Sequence, residues 1–358
     1  MDLIQGILKR QVTSNSSPSV QYVIFDKDHI IGNYNFGLAD IKNNITASVS
    51  TTYHAFSVTK TFTALAVLQL AEQGKTDIDQ PFKKYLPDFP YGDEITIRQV
   101  LAHSAGIPNG IPLSWIHLSC DHKSFDYKWF YHKLFLAHDS TDFKPDEKFA
   151  YSNLGYILLG ELIESISGMS YEEYIIENIV KKLGLDENSI AFKMKDMSGH
   201  AKGYHKIMSF SNLILGFFIK KSKYMDKPEG WWRPFKPFYV NGPAYGGLLG
   251  TPYAFVKYVQ EILKPASSLI SANSKKLLFK ENLVKGNKPT GMCLSWFSGQ
   301  LNGNRYYTHA GGGGGYYCEI RIYPDKGIGS VIFFNRSGMS DERFLDKVDY
   351  VYFDSLKS

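Results

Sequence analysis

Phe56-Ser57-Val58-Thr59-Lys60-Thr61-Phe62-Thr63-Ala64 is the stretch on which the reading of this chain turns. A serine and a lysine three residues apart at the start of a helix share one face, about one turn from each other. A serine hydroxyl is a weak nucleophile until a neighbouring base takes its proton. A lysine can be that base only where burial or nearby positive charge lowers its pKa. A helix N-terminus adds positive potential that favours a developing anion. The same residues also suit a helix cap followed by a surface lysine, so the segment needs company before it means chemistry.

Two further segments supply that company. Tyr151-Ser152-Asn153 offers a phenol that can share a proton with a lysine, and an amide that can hold a substrate carbonyl or that lysine. Its plainer reading is a cap on the apolar helix after it. His309-Ala310-Gly311 runs into the glycines of residues 312–315, ahead of an alternating stretch. Consecutive glycines let a ligand approach the backbone, and an N–H there can serve an oxyanion. The run misses G-x-G-x-x-G because Tyr316 stands where the last glycine must be, which argues against a nucleotide loop.

Working outward from the serine, residues 57–73 show a helical pattern, with Leu65, Leu68 and Ala71 spaced to face a core and Gly74 as its stop. Upstream, residues 21–26 and 29–34 form a hairpin signal around Lys27-Asp28, and the first residues read as an amphipathic helix. Downstream come a short helical piece at 96–102, an apolar helix at 154–167 ending at Gly168, and a repeat of its pattern at 171–183. Thr251-Pro252 starts another helix, with Phe255, Val259 and Ile262 on its apolar face. Residues 317–323 alternate, and Pro324-Asp325-Lys326-Gly327 turns them into 329–335, ahead of a terminal helix at 341–356. Strands therefore gather at both ends. The expected fold is α+β in one domain over 1–358: a sheet made from both chain ends (1–75 plus 240–358), flanked by helices, with a mostly helical part inserted at 76–239.

In this setting the opening stretch resembles the nucleophile segment of the class C β-lactamase and penicillin-binding-protein-like serine hydrolases, a family that also holds D,D-peptidases, D-aminopeptidases and esterases. Similar landmarks come in order along the chain. Gly74-Lys75, Asp77-Ile78-Asp79 and Tyr85-Leu86-Pro87 come first, then Ile95-Thr96-Ile97-Arg98 with His103-Ser104-Ala105-Gly106. Tyr151-Ser152-Asn153-Leu154-Gly155-Tyr156, Gly246-Gly247-Leu248-Leu249 and His309-Ala310-Gly311 complete the set, which spans about residues 20 to 335. The resemblance implies the serine β-lactamase / D,D-peptidase fold and an acyl-enzyme on Ser57, with Lys60 as proton partner and Tyr151 as general base. It implies that Asn153 orients the substrate, that His309, Gly311 and Gly312 border it, and that the N–H groups of Ser57 and Gly312 form the oxyanion hole. It implies no metal and no organic cofactor, and hydrolysis of esters or D-amino-acid amides and peptides. The alternatives are a β-lactamase, or a penicillin-binding-type protein that deacylates slowly.

Two departures stand out. Where β-lactamases have lysine at the third motif, this chain has His309, which points to a peptidase or esterase; by its reference pKa that histidine is partly charged at neutral pH. An unfamiliar apolar insert at about 205–240 carries Phe210, Leu213, Phe217 and Phe218, then Lys220, Lys221 and Lys223, then Trp231-Trp232. It reads as a packed helix, a lid over an acyl pocket, or a surface for membrane or partner.

Composition excludes other classes. An apolar fraction of 44% and a charged fraction of 21% suit an ordinary globular chain, and aromatics at 15% suit an aromatic core or cleft. A net charge of +5 without a Lys/Arg stripe argues against nucleic acid. Cys120, Cys293 and Cys318 make no disulfide framework, and no run reaches the ~20 apolar residues of a membrane span. The expected partner is a small-molecule or peptide substrate, and the expected compartment cytoplasmic, or an exported one if a leader has been removed. No G-x-S-x-G occurs, which excludes an α/β-hydrolase elbow. His117, Cys120 and His122, in a stretch read as an aromatic helix, fit no standard zinc spacing.

Overall fold

The computed structural model describes residues 2–110, 112–194, 196–209, 217, 219–339 and 343–356, apart from the side chain of Leu113. A seven-stranded antiparallel sheet is assembled from the two ends of the chain, as expected. From the N-terminal part come β1 (Ser19–Asp26), β2 (Ile30–Asp40) and β3 (Ile45–Thr46). From the C-terminal part come β4 (Phe297–Leu301), β5 (Asn304–Gly313), β6 (Tyr316–Tyr323) and β7 (Ile328–Phe334). Their order is β4-β5-β6-β7-β1-β2-β3, so the ends of the chain meet where β7 pairs with β1.

Both faces of this sheet are covered, which is why β6 is buried on both sides along its whole length and β7 from Gly329 onward. Helices α1 (Asp2–Thr13) and α5 (Leu345–Ser355) pack one face through Ile4, Leu8, Val348 and Phe353. Helices α2 (Thr59–Glu72), α3 (Asn153–Ser167) and α4 (Pro252–Leu263) belong to the core on the other. The Thr251 hydroxyl caps α4 by accepting from the Ala254 N–H, with Pro252 at the first helical position.

Several details differ from the sequence pattern. Helix α2 does not show one face to a core: every residue from Thr59 to Leu70 is buried, because the sheet, α3 and α4 enclose it. Residues 171–183 are not one helix but an α turn (Tyr171–Ile175), a π turn (Ile176–Val180) and a 3-10 turn (Lys181–Leu183). The terminal helix starts at Leu345, and residues 341 and 342 lie outside the described ones. The middle of the chain also carries short strands, Ile116–Leu118 pairing with Phe238–Val240 and Tyr204–Lys206 with Trp232–Pro234. His117 is therefore in a strand, with Cys120 and His122 in a 3-10 turn, rather than on a helix. Its Nε2 meets His122 Nδ1 at 2.8 Å. Within the apolar insert, residues 210–216 and 218 lie outside the described residues; beyond them the chain forms a short helix, Lys221–Tyr224, and a strand, Trp232–Pro234.

Candidate active site

Ser57 sits in a 3-10 turn, Phe56–Val58, just ahead of α2. The turn is reached through Phe56 at φ 44, in the left-handed region that a bulky residue rarely adopts. Such strain persists only where the surroundings over-determine it. Here the Phe56 ring is held among His54, Phe238 and Tyr316. The edge of β5 also presses on the same turn. A Cβ added at Gly311 would lie 2.1 Å from the Ala55 carbonyl oxygen and 3.0 Å from the Ser57 nitrogen, so only glycine fits there.

Lys60 lies one helical turn on and is completely buried. Its Nζ is 3.1 Å from Ser57 Oγ, 2.8 Å from Asn153 Oδ1 and 2.8 Å from the Tyr245 carbonyl oxygen. The rings of Tyr151, Tyr245 and Tyr156 surround it, at 4.9, 5.3 and 5.5 Å from Nζ to centroid. No carboxylate pairs with it among the described residues. Burial therefore holds the amine well below the usual lysine range. Two of its three partners are carbonyl oxygens that only accept, so they take two N–H groups and leave the third position of Nζ facing Ser57 Oγ. When the amine is neutral, that position is a lone pair.

Tyr151 borders the same serine. Burial raises its phenol above the usual range, and a hydrogen bond with Ser57 opposes the rise. Burial thus favours the neutral phenol at Tyr151, as it favours the neutral amine at Lys60. The Tyr151 loop is held by the stretch around His103. The Ser152 N–H donates to His103 Nδ1 at 3.0 Å, and the His103 ring stands 4.4 Å from that of Tyr151. Ser104 Oγ donates to Asp146, which anchors the start of the same loop.

Asn153 opens α3, its Oδ1 on Lys60 and its Nδ2 donating to Asn109 Oδ1 at 3.0 Å. This amide positions the lysine. His309 is buried in β5, and the structure corrects its expected partial charge. Burial first, then the charge of Lys60, pushes it down to about 3, so it is neutral at neutral pH. Its Nδ1 donates to the Ala310 carbonyl oxygen at 2.8 Å, so Nε2 carries the lone pair, and it is buried without a hydrogen-bond partner among the described residues. The ladder from β4 ends at Phe297–Thr308, which leaves residues 309–313 as an open strand edge beside Ser57.

These groups share a cavity of about 690 Å³ that holds Ser57, Tyr151, His309 and Gly311, with Phe149 and Phe297 on its walls. A second recess of about 70 Å³ touches Ser57 from another side and is lined by Ile116, Asn153, Phe235, Val240 and Tyr245. The sequence motifs supply Ser57, Lys60, Tyr151, Asn153, His309 and Gly311. Asn109, the Tyr245 carbonyl, Phe149 and Phe297 went unread, although Tyr245 directly precedes the Gly246-Gly247 landmark.

Known proteins share this fold. The Beta-lactamase family model matches residues 4–350. Protein flp of Staphylococcus aureus (strain NCTC 8325 / PS 47) is 30% identical over 191 residues, covering 52% of this chain and 37% of that protein, so the chain spans well under half the length of that relative. The octameric penicillin-binding protein homologue from Pyrococcus abyssi superposes with a TM-score of 0.78 at 25% identity, over 100% of this chain and 78% of the other. The D-amino acid amidase from Ochrobactrum anthropi SV3, in complex with L-phenylalanine amide, shares the fold at a TM-score of 0.79 and 20% identity, over 99% of each chain. With a family match running nearly from end to end and the fold carried whole, the chain belongs to the beta-lactamase family of serine hydrolases.

Proposed function

We propose that this chain hydrolyses esters and D-amino-acid amides or peptides through an acyl-enzyme on Ser57, with Lys60 and Tyr151 as one proton-transfer unit. The observation that carries this reading is the orientation of buried Lys60, two N–H groups held by carbonyls and the third position turned to Ser57 Oγ at 3.1 Å. In acylation Oγ bonds to the substrate carbonyl carbon and its proton passes to Nζ. The carbonyl oxygen takes up negative charge facing the N–H groups of Ser57 and Gly312. Collapse breaks the bond to the leaving nitrogen or oxygen. Tyr151 protonates that atom and is reprotonated from Lys60. Water then attacks the acyl carbon and gives up a proton to the Lys60/Tyr151 pair; the C–Oγ bond breaks, the acid leaves, and the pair passes that proton to Ser57 Oγ.

Tyr151 lines the larger cavity and not the small recess, so the leaving group belongs in the former and the acyl side chain in the latter. A recess of about 70 Å³ suits a small apolar side chain. In the larger cavity the Nε2 lone pair of His309 would accept from an N–H or O–H of the leaving group and would repel a carboxylate. This favours neutral amides and esters over β-lactams, and the amidase neighbour is consistent with it. A fluorophosphonate should label Ser57 alone, as located by peptide mapping, and Ser57→Ala should abolish turnover. A panel of p-nitrophenyl acetate, D-Ala peptides and a chromogenic cephalosporin should rank the cephalosporin last. Label elsewhere, or cephalosporin turnover near ~10⁶ M⁻¹s⁻¹, would overturn the proposal.

A further inference from the structure

We infer that the basic face around Met208, Phe217 and Trp231 docks this protein peripherally on an anionic phospholipid bilayer. Residues 206–236 hold six lysines and one arginine against Asp226 and Glu229, a surplus of five that equals the +5 of the whole chain. Glu229 is also neutralised from outside the segment, by Lys202 at 3.0 Å. All the excess charge of the molecule is thus gathered in one stretch.

Three large apolar side chains described in the same stretch stand out of the core. Phe217 at 82% and Met208 at 76% are the two most exposed large apolar residues among the described ones, and Trp231 is 59% exposed. Met208 and Trp231 belong to one local unit. The Ile207 N–H donates to the Trp231 carbonyl at 3.0 Å, and Lys206 registers with Trp232, so Met208 and Trp231 stand at one end of a two-stranded ladder. Met225 bridges to Phe235, which ties the helix Lys221–Tyr224 to the same ladder. Between the exposed groups Ile219, Met225 and Trp232 are buried and anchor the unit to the body.

Exposed aromatic and thioether side chains standing among long cations fit the headgroup zone of a bilayer. There the apolar tips enter the acyl boundary and the ammonium groups meet phosphate. No described helix is long and apolar enough to cross a membrane, so the attachment is at the surface. His205 and Phe235, beside this unit, also line the catalytic cavity, so docking brings its mouth toward the lipid.

Co-sedimentation with vesicles tests this. Vesicles of phosphatidylcholine with one third phosphatidylglycerol should bind the protein, pure phosphatidylcholine should bind it weakly, and added salt should release it. The triple variant Lys220→Glu, Lys221→Glu, Lys223→Glu should partition at least ~100-fold less, about fivefold for each lysine removed. Phe217→Ser with Trp231→Ser should lose roughly tenfold or more. Thermal midpoints within a few degrees of the parent would show that both variants fold. Equal binding to the two vesicle types, binding to neither, or full binding by the triple variant would overturn the inference. So would concentration-dependent self-association, read by light scattering without lipid, that the same substitutions abolish.

Discussion

Two buried cations lie on opposite faces of the sheet, and they differ in a way that locates the chemistry. Lys60 is enclosed by three tyrosine rings and two carbonyls, with no carboxylate among the described residues to hold its proton. Arg321, on the other face, bonds Glu319 at 2.6 Å and Asp346 at 2.6 Å, with Asp349 at 4.0 Å and the Tyr306 ring 4.0 Å away. Burial pulls both down. Around Lys60 nothing opposes it, whereas Glu319 and Asp349 outweigh it at Arg321 and push the guanidinium upward. Uncompensated burial favours a neutral amine beside the serine, which suits the proposed base; compensated burial holds a charged strut between sheet and α5.

The largest expected effect is on the Lys60 side. Lys60→Met should lower kcat by roughly 10²–10⁴, the usual worth of a general base. Its urea unfolding free energy should move by less than about 2 kcal/mol, since lost hydrogen bonds are offset by removal of a desolvated amine. Tyr151→Phe should fall in the same kinetic range, and the double variant should be little worse than either alone. Fully multiplicative losses would separate the two roles.

Arg321→Met should reverse the pattern. It leaves Glu319 and Asp349 buried without their cation, which should cost about 3–5 kcal/mol in urea unfolding. The kcat of the folded fraction should stay within a few fold. If kcat falls instead with stability intact, the contrast between the two cations fails.

Smaller effects sharpen the comparison. Burial raises the Asp349 carboxyl to about 6, against the pull of Arg321 and the hydrogen bonds of Ser330, Tyr22 and Tyr323. A carboxyl raised in the folded state binds more protons there than when unfolded, so its contribution to stability falls as pH rises through the window from about 4 to 6. Between pH 5 and 8 the parent should therefore lose about 1.4 kcal/mol relative to Asp349→Asn. A constant difference across that range would remove Asp349 from the account. The least effect is expected for His309. Being neutral, it should leave no limb in the pH profile of kcat/KM between pH 5 and 8, and His309→Phe should cost amides about tenfold more than esters through the lost acceptor. A limb near pH 6.5 that vanishes in His309→Phe would show that the histidine is charged in action.

Much of this was legible in the order of residues. The spacing of Ser57 and Lys60, the Tyr151-Ser152-Asn153 and His309-Ala310-Gly311 segments and the strand-rich ends are local patterns, and they carried the fold and pointed to residues that the structure gathers around Ser57. The gathering of all net charge in residues 206–236 is likewise a property of the sequence. What the sequence could not carry is the state of these groups. Lys60 is a candidate base only because α2 is enclosed on every side and because its carbonyl partners arrive from 93 and 185 residues away. His309 is neutral only because β5 buries it near that lysine, and Phe217 and Trp231 are exposed although their types usually sit inside. Position along the chain determines which groups can meet. Desolvation, which sets their charge, is a sum over neighbours distant in sequence, and only the tertiary structure decides it.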